Sequence, residues 1–219
     1  MIFDWAYAMD ILPRFVPALW VTVQATLAGM LIALTLGMVL TLLRRCRLIW
    51  VRWPTTALIE FVRSTPLLVQ MYFMFYVLPE AGVRMSAFTA GALALGLHYA
   101  AYCAEVYRAG LEAVPRGQWD AAAALNLGHW STLRRIIVPQ AVSRVVPALG
   151  NYLVAMFKDT PLLSAITVVE LLQLAKMIGA ESFRYVEALT MVGVLFLILS
   201  LGAASLIRAL ERRMRVAHA

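Results

Sequence analysis

Apolar side chains gather into five long stretches along this 219-residue chain, Val16–Leu43, Thr55–Leu78, Ala87–Tyr107, Ile136–Phe157 and Val186–Ala209, with arginine clusters between them. Each stretch matches the roughly 20 residues that carry an α-helix across a bilayer. Their Ala, Leu and Val content with sparse charge predicts helices rather than barrel strands, since a helix satisfies its own backbone in lipid. The pattern predicts an all-α polytopic membrane protein with five transmembrane helices. A sixth apolar segment, Pro161–Ala180, is broken by Glu170, Gln173 and Lys176.

The arginines orient the spans. Arg44, Arg45, Arg47 and Arg52 follow the first, Arg108, Arg116, Arg134 and Arg135 the third, and Arg208, Arg212, Arg213 and Arg215 the fifth. By the positive-inside trend these regions are expected in the cytoplasm. The start, where Arg14 is balanced by Asp4 and Asp10, and the loop Pro79–Ser86 then lie outside. A sixth crossing would move the RRMR tail outward, so Pro161–Ala180 is read as a short helix packed at the outer face or partly re-entrant. No basic leader precedes a small-residue cleavage site, and no signal peptide is expected.

Composition narrows the function classes. With 63% hydrophobic and 14% charged residues and a mean hydropathy of +0.80, a water-soluble fold could not hide its apolar side chains. The formal charge of +7 sits between the spans, as membrane anchors do, which argues against nucleic acid. Cys46 and Cys103 are too isolated for a disulfide framework, and His98 and His129 lack partners at metal spacing, so both are read as packing or interface residues. Neither Ser164 nor Ser200 sits in a recognisable nucleophile motif. The only lysines, Lys158 and Lys176, do not follow the glycine of a phosphate loop, so energy for transport must come from an ion gradient or another subunit.

Between the third and fourth spans runs QWDAAAALNLGHWSTLRRIIVPQA (Gln118–Ala141). Asp120 is expected near a helix N-terminus, and Ala121–Ala124 offer a small-side-chain face that another protein can approach closely. Asn126 and Gly128 tolerate the left-handed conformation that ends a helix, and Ser131 or Thr132 can cap a second one. The loop reads as a docking element.

Two further patterns bear on transport. Arg63-Ser-Thr-Pro-Leu-Leu and Lys158-Asp-Thr-Pro-Leu-Leu repeat a cation, one residue and TPLL, placing Thr65-Pro66 and Thr160-Pro161 where helices break. Such breaks mark transport sites in many carriers, although Thr-Pro is also an ordinary helix start. Glu60 with Arg63, and Glu105 with Arg108, have the spacing of one helix face and are expected either to pair or, for Glu60, Arg63 and Asp159, to line a solute path. Tyr72, Phe73, Phe75 and Tyr76 read as an aromatic belt or as cation–π partners in that path.

The loop resembles the EAA loop of ABC-importer permeases in Asp120-Ala121-Ala122, Asn126 and Ile136-Ile137-Val138-Pro139, with Asp for Glu, Asn for Gly and Val for Leu. FVRSTPLLVQMYF, AYCAEVYRAGLEAVPRGQWDAA and PALGNYLVAMFKDTPLL are similar to the polar amino acid uptake branch. IFDWAYAMDILP, ALNLG and KDTPLLSAITVVELLQLAK look closest to ectoine and hydroxyectoine permeases. The resemblance implies a MetI-like type I importer permease filling residues 1–219 as one domain, in the cell inner membrane, with its coupling loop at about 112–139. It implies that Asp120, Ala121, Ala122, Asn126, Gly128 and Pro139 meet a cytoplasmic ATP-binding subunit. Magnesium–ATP would sit in that subunit, with no cofactor in this chain. A second permease chain, identical or homologous, and an external solute-binding protein complete the expected assembly. An ion-gradient-coupled secondary carrier is the alternative.

Overall fold

The computed structural model describes residues 3–216, and among these the secondary structure is entirely helical. α1 (Trp5–Ile11) starts at Asp4, whose carboxylate accepts the Tyr7 amide, and leads through a 3₁₀ turn into α2 (Phe15–Arg44). α3 (Ile49–Ser64) and α4 (Leu67–Tyr72) follow, the latter continued by turns over Phe73–Ala81. Next come α5 (Ala87–Glu112), the connection α6 (Arg116–Ala124) and α7 (His129–Thr132), and α8 (Val138–Asp159). A 3₁₀ turn over Thr160–Ile166, α9 (Leu171–Ser182) and α10 (Tyr185–Val216) complete the chain.

Three helices are long and apolar enough to cross a membrane alone, those of Trp5–Arg44, Ala87–Glu112 and Tyr185–Arg212. The five expected crossings are reached when two bent pairs each count as one span. The limbs Ile49–Ser64 and Leu67–Ala81 bend by 106°, and His129–Ile166 and Leu171–Ser182 by 51°. The second span is broken at Thr65-Pro66, where the sequence places a helix break, and the sixth apolar segment is a limb of the fourth. Arg213 and Arg215, counted in the basic tail, lie outside the residues whose side chains are described.

The centre of the bundle is a seam of small residues. Ala25, Gly29, Ala33, Gly37 and Thr41 recur every four positions of α2 and are all buried. They meet Ala92, Leu95, Ala100, Cys103 and Ala104 of α5 in rising register, so the two helices run parallel. Small residues let helix backbones approach closely where lipid gives no hydrophobic drive to associate. The approach is tight: a Cβ on Gly37 would lie 2.7 Å from that of Cys103 and 3.0 Å from the Ala100 carbonyl. Thr41 closes the seam by donating to the carbonyls of Gly37 at 2.8 Å and Ala104 at 3.2 Å.

At the amino-terminal end, Ala8, Ile11 and Phe15 share a core with Ile178 of α9 and Met191 of α10. Asp4 and Arg184 tie this end together at 2.9 Å. The Tyr7 amide and then Arg184 hold the Asp4 carboxyl below its ordinary value of 3.8. A lowered folded-state value means that this contribution is complete above that ordinary value and is lost as pH falls through the lowered one.

The seam yields a test. Gly37→Val is expected to destabilise the folded chain by about 1–3 kcal/mol through overpacking. Gly193→Val, at a site where an added Cβ meets nothing within 4 Å, should shift stability by no more than about 0.5 kcal/mol. Thermal unfolding in detergent compares the two, and equal losses would show that the seam does not set the packing.

Candidate functional site

The break between α3 and α4 creates a local problem, since Pro66 has no amide hydrogen and the last carbonyls of α3 lose their helical partners. One side chain solves it. The Gln70 amide nitrogen donates to the Val62 carbonyl at 2.8 Å, the Thr65 carbonyl at 3.2 Å and the Thr65 hydroxyl at 2.7 Å. Its oxygen lies 3.2 Å from His98 Nδ1, which places the donating hydrogen on that nitrogen. His98, read from the sequence as a packing residue, is therefore the second layer of the break.

The two TPLL segments come together. Leu67 of the first and Leu163 of the second share the central core with Met71 and Ile166, and α4 lies against the Thr160–Ile166 turn. Thr160 is buried and donates to the Phe157 carbonyl at 2.7 Å. Asp159 accepts a hydrogen bond from the Tyr99 hydroxyl at 2.7 Å. Tyr99 and Tyr102 both pack edge-on against Tyr152 of α8, with ring centroids 5.9 and 5.7 Å away. The Arg63 guanidinium stands 5.4 Å over the Tyr102 ring. Thus Arg63 and Asp159, far apart in the chain, are joined across a bridge of aromatic rings, and the Arg63 Nε has no hydrogen-bond partner.

Both pairs expected from spacing form, and Glu105 gathers further partners. Glu60 reaches Arg63 at 3.5 Å but its side chain is 56% exposed. The centre of charge is instead Glu105, 18% exposed, which pairs with Arg44, with Arg108 at 2.7 Å and, at the 3.9 Å margin, with Arg63. Local spacing reveals Glu105–Arg108, while Arg44 arrives only by the parallel packing of α2 on α5. The aromatic run differs: Tyr72, Phe73 and Tyr76 line a shallow cleft with Val69 and Val77, and the cation–π contact of Arg63 goes to Tyr102. Among the described residues no group of three His, Cys, Asp or Glu side chains could hold a metal ion, and Cys46 and Cys103 are free thiols.

The connection between α5 and α8 folds as two short helices. Asp120 lies in the fifth position of α6, with no acid in the first turn, because the helix starts earlier than expected, at Arg116 behind Pro115. Asn126 takes the left-handed conformation at φ 51°. The Leu127 amide donates to the Ala122 carbonyl and that of Asn126 to Ala123, closing the helix end as a Schellman turn. Gly128 does not share that role: it is extended, φ −60° and ψ 148°, and stands at the N-cap of α7 ahead of Ser131 and Thr132. Pro139 enters the first turn of α8, where its missing hydrogen is tolerated.

Exposure divides the alanine run. Ala122 is 1% exposed, so its side chain meets this chain, whereas Asp120, Ala121, Ala123 and Ala124 face outward beside exposed Leu125 and Trp130. Leu125 and Trp130 escaped sequence reasoning because apolar residues in so apolar a chain carry no contrast. Trp119 stacks on His129 at 6.3 Å, and Gln140 bonds Gln118 at 3.1 Å, fastening the loop to the start of α8.

Residues 29–216 match the family of binding-protein-dependent transport system inner membrane components. The chain is 50% identical to a probable amino-acid ABC transporter permease protein, y4tG, of Sinorhizobium fredii, over 94% of this chain and 89% of that protein. It is 33% identical to the glutamine transport system permease protein GlnP of Escherichia coli, over 99% of this chain and all of that one. Among solved structures, an amino acid ABC transporter with histidines superposes with a TM-score of 0.92 at 32% identity, over 97% of this chain and all of that one. The methionine transporter MetNI, in an inward-facing conformation, reaches 0.79 at 17% identity over 94% of this chain and 98% of that one, a likeness of fold.

The Glu105 arrangement makes a prediction. Glu105→Gln leaves three guanidinium groups without their shared counter-charge and is expected to cost on the order of 2 kcal/mol, less than a fully buried pair because the site is partly solvated. Arg63→Gln, after which Glu105 keeps Arg44 and Arg108, should cost less than about 1 kcal/mol. Denaturation midpoints of the two variants in detergent decide, and a larger loss for Arg63→Gln would place the structural centre elsewhere.

Proposed function

Because the chain belongs to the family of binding-protein-dependent transport system inner membrane components, we propose that it is the permease subunit of an amino-acid ABC importer in the inner membrane. The observation that carries this reading is likeness over nearly the whole length, in sequence and in fold, to permeases of amino-acid transporters. The chain moves the solute and does not itself hydrolyse ATP, which binds with magnesium in a separate subunit.

The solute is a small zwitterion. Arg63 offers a half-buried guanidinium, Tyr99, Tyr102 and Tyr152 offer ring faces, and Asp159 offers a carboxylate beyond them. Glu60, Thr65 and Pro66 frame the break beside Arg63, and Thr160 stands next to Asp159 at the end of α8. A carboxylate directed to Arg63 and a delocalised cation held by rings and Asp159 suit an amino acid, and ectoine or hydroxyectoine equally. The residue patterns similar to ectoine permeases favour those two solutes. Because Arg63 and Tyr102 are only half-buried, the path wants a facing wall, which supports pairing with a second permease chain.

Coupling resides in the other exposed feature. α6 presents Asp120, Ala121 and the other outward alanines, Asn126 and Gly128 shape the turn, Ala122 packs inward and Pro139 stands in the first turn of α8, so an ATP-binding subunit seated there can move α8. The arginine-rich end then faces the cytoplasm and the amino-terminal end faces outward, toward a solute-binding protein. The whole chain acts as one permease domain.

Reconstitution tests the proposal. With its ATP-binding and solute-binding subunits, the chain should take up ectoine or a zwitterionic amino acid into vesicles only when ATP is supplied on the arginine-rich side. Uptake driven by an ion gradient alone would sink the assignment. Arg63→Gln should lower uptake about tenfold while leaving basal ATP hydrolysis, and Asp120→Lys should leave membrane abundance intact while abolishing stimulated hydrolysis. Ala122→Glu, buried, should instead unfold the loop.

A further inference from the structure

Where the ends of α2 and α5 meet the start of α3, Arg44, Arg45, Arg52 and Arg108 line a cleft of about 290 Å³ with Trp53 and Glu112. Arg44 and Arg108 are engaged by Glu105, and Arg108 by Glu112 as well. Among the described residues Arg45 and Arg52 have no carboxylate within ion-pair distance. The cleft thus sets four guanidinium groups against the one carboxylate of its lining, Glu112, which is taken by Arg108, and leaves two of them without an ion pair. Its apolar lining is Ile49 and Trp53, the latter 69% exposed, and the adjacent Leu48 and Trp50 are exposed as well.

This combination selects one kind of occupant. Guanidinium forks match the paired oxygens of a phosphate. Exposed indoles at the end of a spanning helix settle at the depth of lipid headgroups. Basic clefts between helix ends at a charged leaflet favour anionic lipid over zwitterionic lipid. A free phosphate satisfies the charge but gains nothing from the apolar rim.

We propose that this cleft seats the phosphodiester of an anionic phospholipid from the leaflet at the arginine-rich end, with its acyl chains along Leu48, Ile49 and Trp50. The phosphate answers Arg45 and Arg52 together and so fastens the tight turn between α2 and α3. Both charges come from one short stretch, Arg45 to Arg52, and the lipid acts there as the missing carboxylate would.

Tryptophan quenching by brominated lipid tests this on the full chain in lipid nanodiscs. Brominated phosphatidylglycerol should quench more strongly than brominated phosphatidylcholine at equal bromine content, and the excess should vanish in the Trp50→Phe/Trp53→Phe double variant. In the Arg45→Gln/Arg52→Gln double variant, the concentration of phosphatidylglycerol giving half of the excess quenching should rise about tenfold or more. Inorganic phosphate in millimolar excess should not displace the lipid. Equal quenching by the two lipids in the wild-type chain overturns the proposal, with no variant needed. Displacement by inorganic phosphate overturns it in favour of a free-anion site. Unchanged quenching in the double variant, accompanied by loss of co-purifying subunits, overturns it in favour of a protein contact.

Discussion

Inside a bilayer a freed backbone carbonyl must find a donor or the helix cannot break there. In this chain the Gln70 amide supplies that donor, and three of its contacts lie within 3.2 Å on the last turn of α3. The turn of 106° between α3 and α4 depends on it, and so does the placement of Arg63 at the end of α3, where its guanidinium overhangs Tyr102 rather than lipid. The small-residue seam of α2 and α5 provides the rigid wall against which this break is held.

The proposed solute path and the proposed docking loop lie at opposite ends of one element, α8. α8 spans 22 residues, roughly 33 Å at 1.5 Å per residue. Its first turn is fastened to the loop through Gln140 and Gln118, and its last residue is the Asp159 that holds Tyr99. A push on α6 and α7 therefore has a direct lever to the aromatic bridge. Glu105 binds the ends of α2, α3 and α5 into one unit against which, in the proposed mechanism, α8 can move.

Much of this was legible in the sequence because hydropathy and arginine placement are strong signals. The five spans follow from length and charge once each bent pair counts as one. The first TPLL segment announces its break, whereas at the second the helix only tightens into a 3₁₀ turn and the bend falls after Ile166, and Pro54 and Pro147 stand inside continuous helices. Asn126 in the left-handed conformation follows from its side chain. What stayed hidden depended on tertiary contact. Gln70, His98, Tyr102 and Tyr152 carry no local pattern that separates them from other polar or aromatic residues of spanning helices. Glu105 gains Arg44 only through the α2–α5 register, and the inward turn of Ala122 only through packing of α6 on the following turn. The helix start at Arg116 was obscured because Asp120 looked like the better first-turn residue.

The central claim is that solute passes between Arg63 and Asp159 across the tyrosine bridge. With Cys46 and Cys103 replaced, Tyr102→Cys in the assembled transporter can be followed by its alkylation rate with a small polar thiol reagent. Transported solute, with ATP hydrolysis blocked, should slow that rate several-fold while leaving Val77→Cys, on the shallow outer cleft, unaffected. Equal rates at Tyr102→Cys with and without solute, in a transporter that still takes up solute, would contradict the path.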